Sequence, residues 1–481
     1  MSCVHPLRRV VLPCLLATLA GCAAVGPDYS GAPPAAADKL PAFVRAGDAP
    51  VTAEAPSSTW WKALGDPVLD HLVEHALAAN IDIDVATARL QQARAAMRLE
   101  RANDKPSASA SALYAHARLP DIDIGNVDGN EGRNVELPSQ LNLYSLGVDA
   151  SWEIDLFGGR RRANEVARAS AEAAHASLQD VQVSLTADVA NAYVNLRDRQ
   201  RRERLLQESI ALQRQMIELT RQRFDRGTAA ELDVVRLDDQ LESSRAQLQG
   251  IGAERESYLN QIATLLGEAP GAEDAALATP AGVPLPPASI DVGDPAALLR
   301  RRPDIRAAER TLAADTARIG QAEAAKYPSL KLFGIIGLGG TSPSDLTHLD
   351  DFTAVLAPML SWNFLDVGRN EARVGQAEQV RNEAQASYRR AVLNALLDAE
   401  NSLSRFRHGR LTVAASARSK QSADRAVALL SQRYQAGTVT LIDLLDATRR
   451  QRDADQNLSQ AEAELTRSFV AIQKSLGLGW T

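Results

Sequence analysis

Residues 144–156 read Tyr-Ser-Leu-Gly-Val-Asp-Ala-Ser-Trp-Glu-Ile-Asp-Leu, and apolar and polar side chains alternate along the whole stretch. The even-numbered positions form an apolar face that includes Trp152, while the odd-numbered positions supply Ser, Gly, Asp and Glu. Alternation with a period of two predicts a β-strand whose two faces meet different surroundings. A second strand, with its apolar face running from Leu356 through Trp362 to Phe364, follows the same pattern.

A helix of unusual length is predicted after each of these strands. Residues 160–224 and 368–434 contain no Pro. Apolar residues in the first of these stretches recur at three- and four-residue steps and then at sevens (Ile210, Ile217, Phe224), which is typical of helices packed as coiled coils. At about 1.5 Å rise per residue, each helix would be roughly 100 Å long. A Gly-Thr turn then leads into a shorter return helix, over 230–266 and again over 440–476.

The chain carries this plan twice. Five pairs of residues share one offset of 210 positions: Ser151 and Ser361, Arg223 and Arg433, Gly227 and Gly437, Asp233 and Asp443, and Gly267 and Gly477. A period this long exceeds that of solenoid repeats and indicates a duplicated half-molecule.

These patterns predict an order of domains. A first repeat covers 59–266 with a β-hairpin over 106–157, a linker or equatorial segment covers 267–300, and a second repeat covers 301–477 with a β-hairpin over 328–365. The loop of the first hairpin, residues 120–140, is rich in Asp, Asn and Gly and is predicted to be exposed to solvent.

The N-terminus has the pattern of a secretory signal. Two Arg residues precede an apolar run that is too short to span a bilayer, and small residues follow. Leu19-Ala20-Gly21-Cys22 resembles the lipobox of bacterial lipoproteins, so residues 1–21 are predicted to be removed and Cys22 to carry lipid, with 22–58 as an Ala- and Pro-rich tether. An ordinary cleaved signal with an incidental Cys is the alternative. Ala23, in the place where lipoproteins kept at the inner membrane often have Asp, favours the outer membrane.

Beside such an anchor, an alternating strand with a Trp at one end favours a transmembrane barrel over a soluble sandwich. Trp152 and Trp362 are then predicted at a membrane interface. Four strands cannot close a barrel, and an open sheet edge in lipid would leave backbone groups unpaired. Three copies would supply twelve strands, whereas two would supply eight, whose interior is filled by side chains. A conduit therefore favours a homotrimer in outer-membrane lipid.

Composition and motifs argue against several other functions. The formal net charge of −7 makes the chain a poor candidate for nucleic-acid binding. The seven His residues are interpreted as scattered without metal-ligand spacing, and there is no phosphate loop with a Lys and no nucleophile elbow. The segment 337–340 is only a weak lookalike of a phosphate loop. The sequence therefore predicts no catalytic residue, no metal and no cofactor, apart from the lipid on Cys22.

Three segments carry a resemblance to a known family. They are Arg-Arg-Pro-Asp-Ile-Arg-Ala-Ala-Glu at 301–309, Ser-Trp-Asn-Phe-Leu-Asp at 361–366, and Tyr-Gln-Ala-Gly-Thr at 434–438 followed by Leu-Ile-Asp-Leu-Leu-Asp at 441–446. The chain from about Trp60 to Leu478 resembles the TolC family of outer-membrane export ducts, in its lipoprotein branch. The resemblance implies a mainly α fold with a small β part, in which three subunits build one twelve-stranded barrel continuous with a periplasmic tunnel of helices.

The resemblance also implies roles for the helix reversals. The tips at Gly227, Thr228, Gly437 and Thr438 would contact a periplasmic adaptor protein. Asp443 and Asp446, with Asp233 from the first repeat, would line a gate at the narrow end of the tunnel. The alternative for these acids is helix capping, through Thr440-x-x-Asp443 and Thr228-x-x-Glu231. Val439 stands where TolC has an Arg that helps to latch the entrance, so the latch is left unassigned.

The predicted function is that of a passive outer-membrane channel in a tripartite efflux pump. It would conduct drugs, solvents or metal ions from an inner-membrane transporter of the RND or a similar type, passed on through an adaptor. A type I protein-secretion duct is the alternative, and a periplasmic coiled-coil adaptor or tether is a weaker one.

Overall fold

A computed structural model of the chain describes residues 24–35, 37, 40–47, 51–52, 54, 56–118, 140–348, 350 and 352–480. Helix makes up 67% and strand 12% of the structure, which confirms the prediction of a mainly α protein with a small β part. Across these ranges, none of the helices combines the length and the apolar content needed to cross a bilayer. The predicted signal 1–21, Cys22 and nearly all of the first hairpin loop lie outside the described residues.

The helices follow the periodicity of the sequence closely. In chain order they are α1 (Pro67–Ala79), α2 (Ile81–Asn103), α3 (Gly159–Asp225), α4 (Glu231–Leu265), α5 (Asp274–Leu277), α6 (Pro295–Arg301), α7 (Pro303–Ala324), α8 (Val367–Gln435) and α9 (Leu441–Ser475). The two long helices, α3 and α8, have 67 and 69 residues, and their return helices α4 and α9 have 35 each. Uninterrupted helices of this length are possible because no Pro removes a backbone donor along them.

The strands are β1 (Val51–Thr52), β2 (Ser107–Arg118), β3 (Gln140–Ile154), β4 (Ile290–Asp291), β5 (Ser329–Gly340) and β6 (Phe352–Ser361). Strands β1 and β4 form a short parallel pair, and the other four form an antiparallel sheet in the order β2-β3-β5-β6. The segment 337–340 lies within β5, so it is a strand end and not a phosphate loop.

Two compact units make up the chain, and each draws on three separate stretches. The first unit combines Met1–Gly31, Gln92–Ala171 and Arg310–Gln385. The second combines Ala32–Gln91, Glu172–Glu309 and Ala386–Thr481. Both units therefore take elements from both repeats, as a duplicated chain permits when equivalent elements pack together.

The first unit contains the four-stranded sheet. Its central pairing joins β3 to β5 in the register Tyr144 to Gly340 through Ile154 to Leu330. Small residues of α3 and α7 pack together in this unit, with Ala169, Ala313 and Ala314 buried in one cluster.

The second unit has an extensive hydrophobic core formed by helices from both repeats. Trp60 and Phe469 meet edge to face with their ring centroids 6.0 Å apart. Tyr193 is fully buried on α3, and its hydroxyl donates a hydrogen bond of 2.6 Å to Asp66, the residue that caps α1. Leu185, Val189 and Leu196 of α3 and Leu465 and Ile472 of α9 are buried in this core.

Candidate functional site

The two tips between the long helices and their return helices have the same backbone geometry. Gly227 and Gly437 have φ angles of 73° and 72°, in the left-handed region that favours Gly. The amide of the following Thr donates to a carbonyl five residues earlier, from Thr228 to Arg223 at 2.8 Å and from Thr438 to Arg433 at 2.9 Å. Each tip is therefore a Schellman motif, which ends the helix and satisfies its last carbonyls.

The Thr hydroxyl adds a further hydrogen bond at each tip. The Thr228 hydroxyl donates to Arg223 O and the Thr438 hydroxyl to Arg433 O, both at 3.0 Å. The predicted Thr228-x-x-Glu231 capping box is therefore wrong, because that hydroxyl is bound to the preceding helix. Helix α4 begins instead beyond Ala230, whose amide donates to Asp233 at 3.3 Å.

The second tip has a complete reciprocal cap. The Asp443 amide donates to the Thr440 hydroxyl at 3.2 Å, and the Asp443 carboxylate accepts from the Thr440 amide at 2.9 Å and from its hydroxyl at 2.6 Å. The hydrogen bonds from Thr440, first from its side chain and then from its backbone, lower the pKa of Asp443 below its ordinary value of 3.8. The positive charges of Arg223 and Arg433 act in the same direction. Asp443 is thus an exposed carboxylate that stays ionised in mildly acidic solution.

Asp446 is in a different environment, one turn further along α9. Its carboxylate forms ion pairs with Arg449 at 3.1 Å and Arg450 at 2.9 Å. Arg449 also contacts Asp453 at 3.0 Å. The structure thus supports the capping interpretation for Asp443 and Asp233, and it gives Asp446 two cationic partners that the sequence analysis did not assign. The gate role of the three acids stays a prediction.

Trp152 and Trp362 occupy equivalent positions at one end of the sheet. The Trp152 indole donates to the Asp104 carbonyl at 3.0 Å, and the Trp362 indole donates to the Lys326 carbonyl at 2.9 Å. Strand β6 ends at Ser361, so Trp362 lies just beyond the strand and not within it as the alternating pattern predicts. The chain turns there towards α8, with the Asp366 amide donating to Asn363 O at 3.2 Å.

One face of the sheet is apolar and exposed in the single chain. Leu146 and Val148 on β3 and Ile336 on β5 each have at least half of their surface accessible, and Leu356 on β6 reaches 73%. Polar groups pair elsewhere on the sheet, for example Ser109 with Asp149 at 2.7 Å. Exposed apolar patches of this kind mark surfaces that another apolar medium or molecule covers.

The segment 301–309 fixes the start of the second repeat inside the second unit. The Arg302 guanidinium, with only 11% of its side chain exposed, donates two hydrogen bonds to Asp304, at 3.0 and 2.7 Å. It donates a third to the Ser475 carbonyl at the end of α9, at 2.9 Å. A cavity of about 270 Å³ adjoins this group and is lined in part by Asp180 and Lys474. The motif therefore joins two elements that are far apart in sequence.

The sequence analysis missed one cluster of chemically active side chains. His75 on α1 lies near Glu268 and Glu273, and one donor atom of each lies within 4.8 Å of the others. The interpretation of the His residues as scattered without metal-ligand spacing is wrong, because His71 and His75 are four residues apart on one helix. That spacing was the available signal, whereas the two Glu residues could not be placed beside it without the fold.

Comparisons with known proteins agree with this architecture. The chain matches the family model described as outer membrane efflux protein over residues 72–268 and 295–478. It is 31% identical over 472 residues to nodulation protein T of Rhizobium leguminosarum bv. trifolii, covering 98% of this chain and 97% of that protein. It is 29% identical over 425 residues to the pyoverdine export outer membrane protein OpmQ of Pseudomonas aeruginosa, covering 88% and 87%. The solved structure of the outer-membrane channel OprN superposes with a TM-score of 0.85 at 37% identity, covering 95% of this chain and 99% of that one.

Proposed function

The chain belongs to the outer membrane efflux protein family, and on this premise we propose that three copies of it join their sheets into a single channel through the outer membrane. The chain is an efflux channel of the outer membrane, and the sequence-based recognition of its family is confirmed. We further propose a role for the helix tips, a lipid anchor on Cys22, the partners of the channel and the class of its cargo.

The open sheet is the observation that carries the proposal of a trimer. Strands β2 and β6 each pair on one side only among the described residues. An unpaired strand edge in hydrocarbon costs several kcal/mol for each backbone group, so an isolated chain could not hold this sheet in a membrane. Because the four strands alternate in direction, β6 of one chain can pair antiparallel with β2 of the next. Each added copy again leaves one free β2 edge and one free β6 edge, until the last copy pairs with the first.

Three copies fit a conduit better than two. Two copies would give eight strands, and a barrel of that size has an interior just wide enough to be filled by side chains. Three copies give twelve strands and therefore a wider lumen. The apolar face that carries Leu146, Val148 and Leu356 would then lie against lipid, and Trp152 and Trp362 would lie at the interface, where aromatic side chains are favoured.

Disulfide formation between the two sheet edges tests the trimer. Neighbouring strands are about 4.8 Å apart, so β2 and β6 of one chain are separated by roughly 14 Å, well beyond the reach of about 7 Å between Cα atoms in a disulfide. Chains with Ser111→Cys in β2 and one of a series of Cys substitutions along β6, from Thr353 to Ala357, are expected to yield covalent trimers in the membrane for at least one pairing.

An interior strand of the sheet supplies the control. A chain with Ser111→Cys and Ile335→Cys in β5 should stay monomeric under the same oxidation, since β5 is an interior strand paired on both sides. Cross-linking that stops at dimers, or that is absent along the whole β6 series, would rule the trimer out.

We place the gate and the adaptor contact at the helix tips of the same assembly. Gly227 and Gly437 end the long helices, and the exposed surface around them carries Leu232, Val235 and Tyr434. An exposed apolar surface near ion pairs such as those of Asp446 suits contact with the helices of an adaptor protein. Asp443 is available to face the lumen because its cap hydrogen bonds leave the carboxylate exposed and ionised.

Replacing Asp443 and Asp446 with Asn is expected to weaken block by polyvalent cations at least tenfold in planar bilayers. A carboxylate about 4 Å from a cation contributes about 1 kcal/mol per unit charge in water, and three copies act together. Because the hydrogen bonds from Thr440 lower the pKa of Asp443 from its ordinary value, its contribution to block should persist in mildly acidic solution. Thr440→Val, which removes the cap hydroxyl and leaves the charge, is the matched control, and unchanged block in the double variant would remove these acids from the gate.

The proposed lipid anchor agrees with the position of the first described residues. The Val25 amide donates to the Phe157 carbonyl at 3.0 Å, so the chain three residues beyond Cys22 is held at the end of β3 where Trp152 lies. A lipid on Cys22 would then enter the same membrane as the sheet.

The cargo is proposed to be a small molecule delivered by an inner-membrane transporter and an adaptor. The relative OpmQ is named for pyoverdine export, and such relatives support small-molecule efflux over protein secretion.

A further inference from the structure

We propose that His75, Glu268 and Glu273 form a binding site for a divalent transition-metal ion, with His71 as a fourth ligand. This site lies within the second unit and is separate from the tips, the gate acids and the sheet. The inference does not depend on the trimer or on the identity of the cargo.

The donor atoms are already close to ligand geometry. One donor atom each from His75, Glu268 and Glu273 fall within 4.8 Å of one another, and His75 Nε2 is 3.9 Å from Glu268 Oε1. Metal–ligand bonds of about 2.0–2.1 Å place two donors of a tetrahedral ion roughly 3.4 Å apart. Since His75 and Glu268 are each about one-third exposed, small rotations of these side chains suffice to close the remaining gap.

His71 completes the donor set. It lies one turn before His75 on α1, and the two ring centroids are 6.0 Å apart. Residues four apart on a helix lie on one face, which is the spacing by which two His residues chelate a single ion. His71 is exposed, so its ring can turn towards the ion without displacing a packed neighbour.

The backbone that carries these ligands is fixed by contacts that do not involve them. The Asn80 side chain, at the end of α1, donates to the Leu265 carbonyl at the end of α4, at 2.9 Å. Ala76, Leu266 and Leu277, which flank the ligands in sequence, are all buried in one hydrophobic core. The site is thus built on a rigid base, as a preorganised metal site requires.

The chemistry of the donors selects the class of ion. Two imidazole nitrogens and two carboxylates give a mixed nitrogen and oxygen set that suits Zn²⁺ or Cu²⁺ better than Mg²⁺ or Ca²⁺, which prefer oxygen ligands alone. The two carboxylates would balance the charge of a divalent ion. In the part of the chain that the structure describes, neither Glu268 nor Glu273 forms an ion pair with Lys or Arg, so no cation competes for them.

The site would connect parts of the chain that are distant in sequence. His71 and His75 belong to α1, and Glu268 and Glu273 to the connection after α4. An ion bound to all four would therefore tie that connection to α1 and protect both from local opening, because a ligand that binds only the folded state stabilises it.

Zn²⁺ binding to the mature chain tests the proposal. The protein is purified in detergent with an affinity tag that contains no His. Equilibrium dialysis with metal analysis is expected to give one ion per chain, with the affinity at least tenfold lower in His75→Gln and in Glu268→Gln. His408→Gln and Glu256→Gln are the controls, because each changes an exposed His or Glu elsewhere in the second unit. Both should bind Zn²⁺ with the affinity of the parent chain. Co²⁺ substituted for Zn²⁺ should give the absorption of a tetrahedral complex, and His71→Gln should alter that spectrum.

Two results would overturn the site. One is the absence of stoichiometric Zn²⁺ binding by the parent chain. The other is an affinity that is equal in the parent, His75→Gln and Glu268→Gln, while circular dichroism reports the same helix content for all three.

Discussion

Replacing Arg302 with Ala is expected to lower the free energy of unfolding by about 3 kcal/mol. Removing one partner of a buried ion pair costs roughly 3–5 kcal/mol, because the remaining partner is left without compensation. The lower end applies here because the Asp304 side chain is 33% exposed and Asp398, 3.5 Å from the guanidinium, is 55% exposed, so water replaces part of the lost interaction. Chemical denaturation followed by far-UV circular dichroism measures the change.

The electrostatic surroundings of Arg302 add to this loss. Burial raises the pKa of Asp180, which lines the same cavity, and the negative charge of Asp304 raises it further, whereas the positive charge of Arg302 lowers it. Without the guanidinium, the Asp180 carboxyl still interacts with the negative charge of Asp304. Of the two cations that act on Asp180, Lys474 alone would remain. The carboxyl of Asp180 is then expected to be protonated at higher pH than in the parent.

Two variants separate the role of Arg302 from a general loss of charge. Arg302→Lys keeps the charge but cannot form the two parallel hydrogen bonds to Asp304, and should fall between the parent and the Ala variant. Arg300→Ala, two residues earlier in the last turn of α6 and exposed, should change stability by less than about 0.5 kcal/mol. An Arg302→Ala protein as stable as Arg300→Ala would contradict the structural role of the motif.

Local patterns explain which features the sequence could predict. The helix predicted over 160–224 is observed as Gly159–Asp225, since heptad spacing and the absence of Pro are properties of consecutive residues. The Gly at each tip follows from the left-handed backbone that ends a helix, and the alternation in β3 follows from the geometry of a strand. The fold class is therefore predictable from the sequence alone.

Long-range contacts explain what the sequence could not predict. The Arg302 guanidinium binds the Ser475 carbonyl, and the two residues are 173 positions apart, so the motif could be recognised by resemblance but not explained. Glu268 and Glu273 come beside His75 only because α4 ends next to α1. Strand β6 ends before Trp362 because the chain turns there towards α8, and alternation alone does not mark where pairing stops.

Replacing Arg162 with Ala is expected to release the N-terminal segment around residues 25–28 from the start of α3, at a cost of about 3 kcal/mol. The Arg162 guanidinium, with only 2% of its side chain exposed, donates to the Val25 and Gly26 carbonyls, both at 3.1 Å. A hydrogen bond from a charged donor contributes roughly 1.5–3 kcal/mol, so these two account for the loss. The ion pairs to Asp28 and Glu165, each 2.8 Å long, add little because Asp28 is exposed to solvent and Glu165 is partly exposed.

Hydrogen exchange at the Val25 amide reports this loss directly, because that amide donates to the Phe157 carbonyl in the folded segment. A change of about 3 kcal/mol corresponds to roughly 100-fold faster exchange through local opening. Arg161→Ala is the matched control, since Arg161 is the adjacent residue, is 67% exposed and contacts Glu165 at 3.4 Å, and its removal should leave the exchange rate unchanged. Equal exchange in the two variants would show that Arg162 does not hold the segment. The expected difference would mean that a buried cation fixes the chain directly after Cys22, the proposed site of the lipid. The anchor and the sheet would then enter the membrane at a set distance from each other.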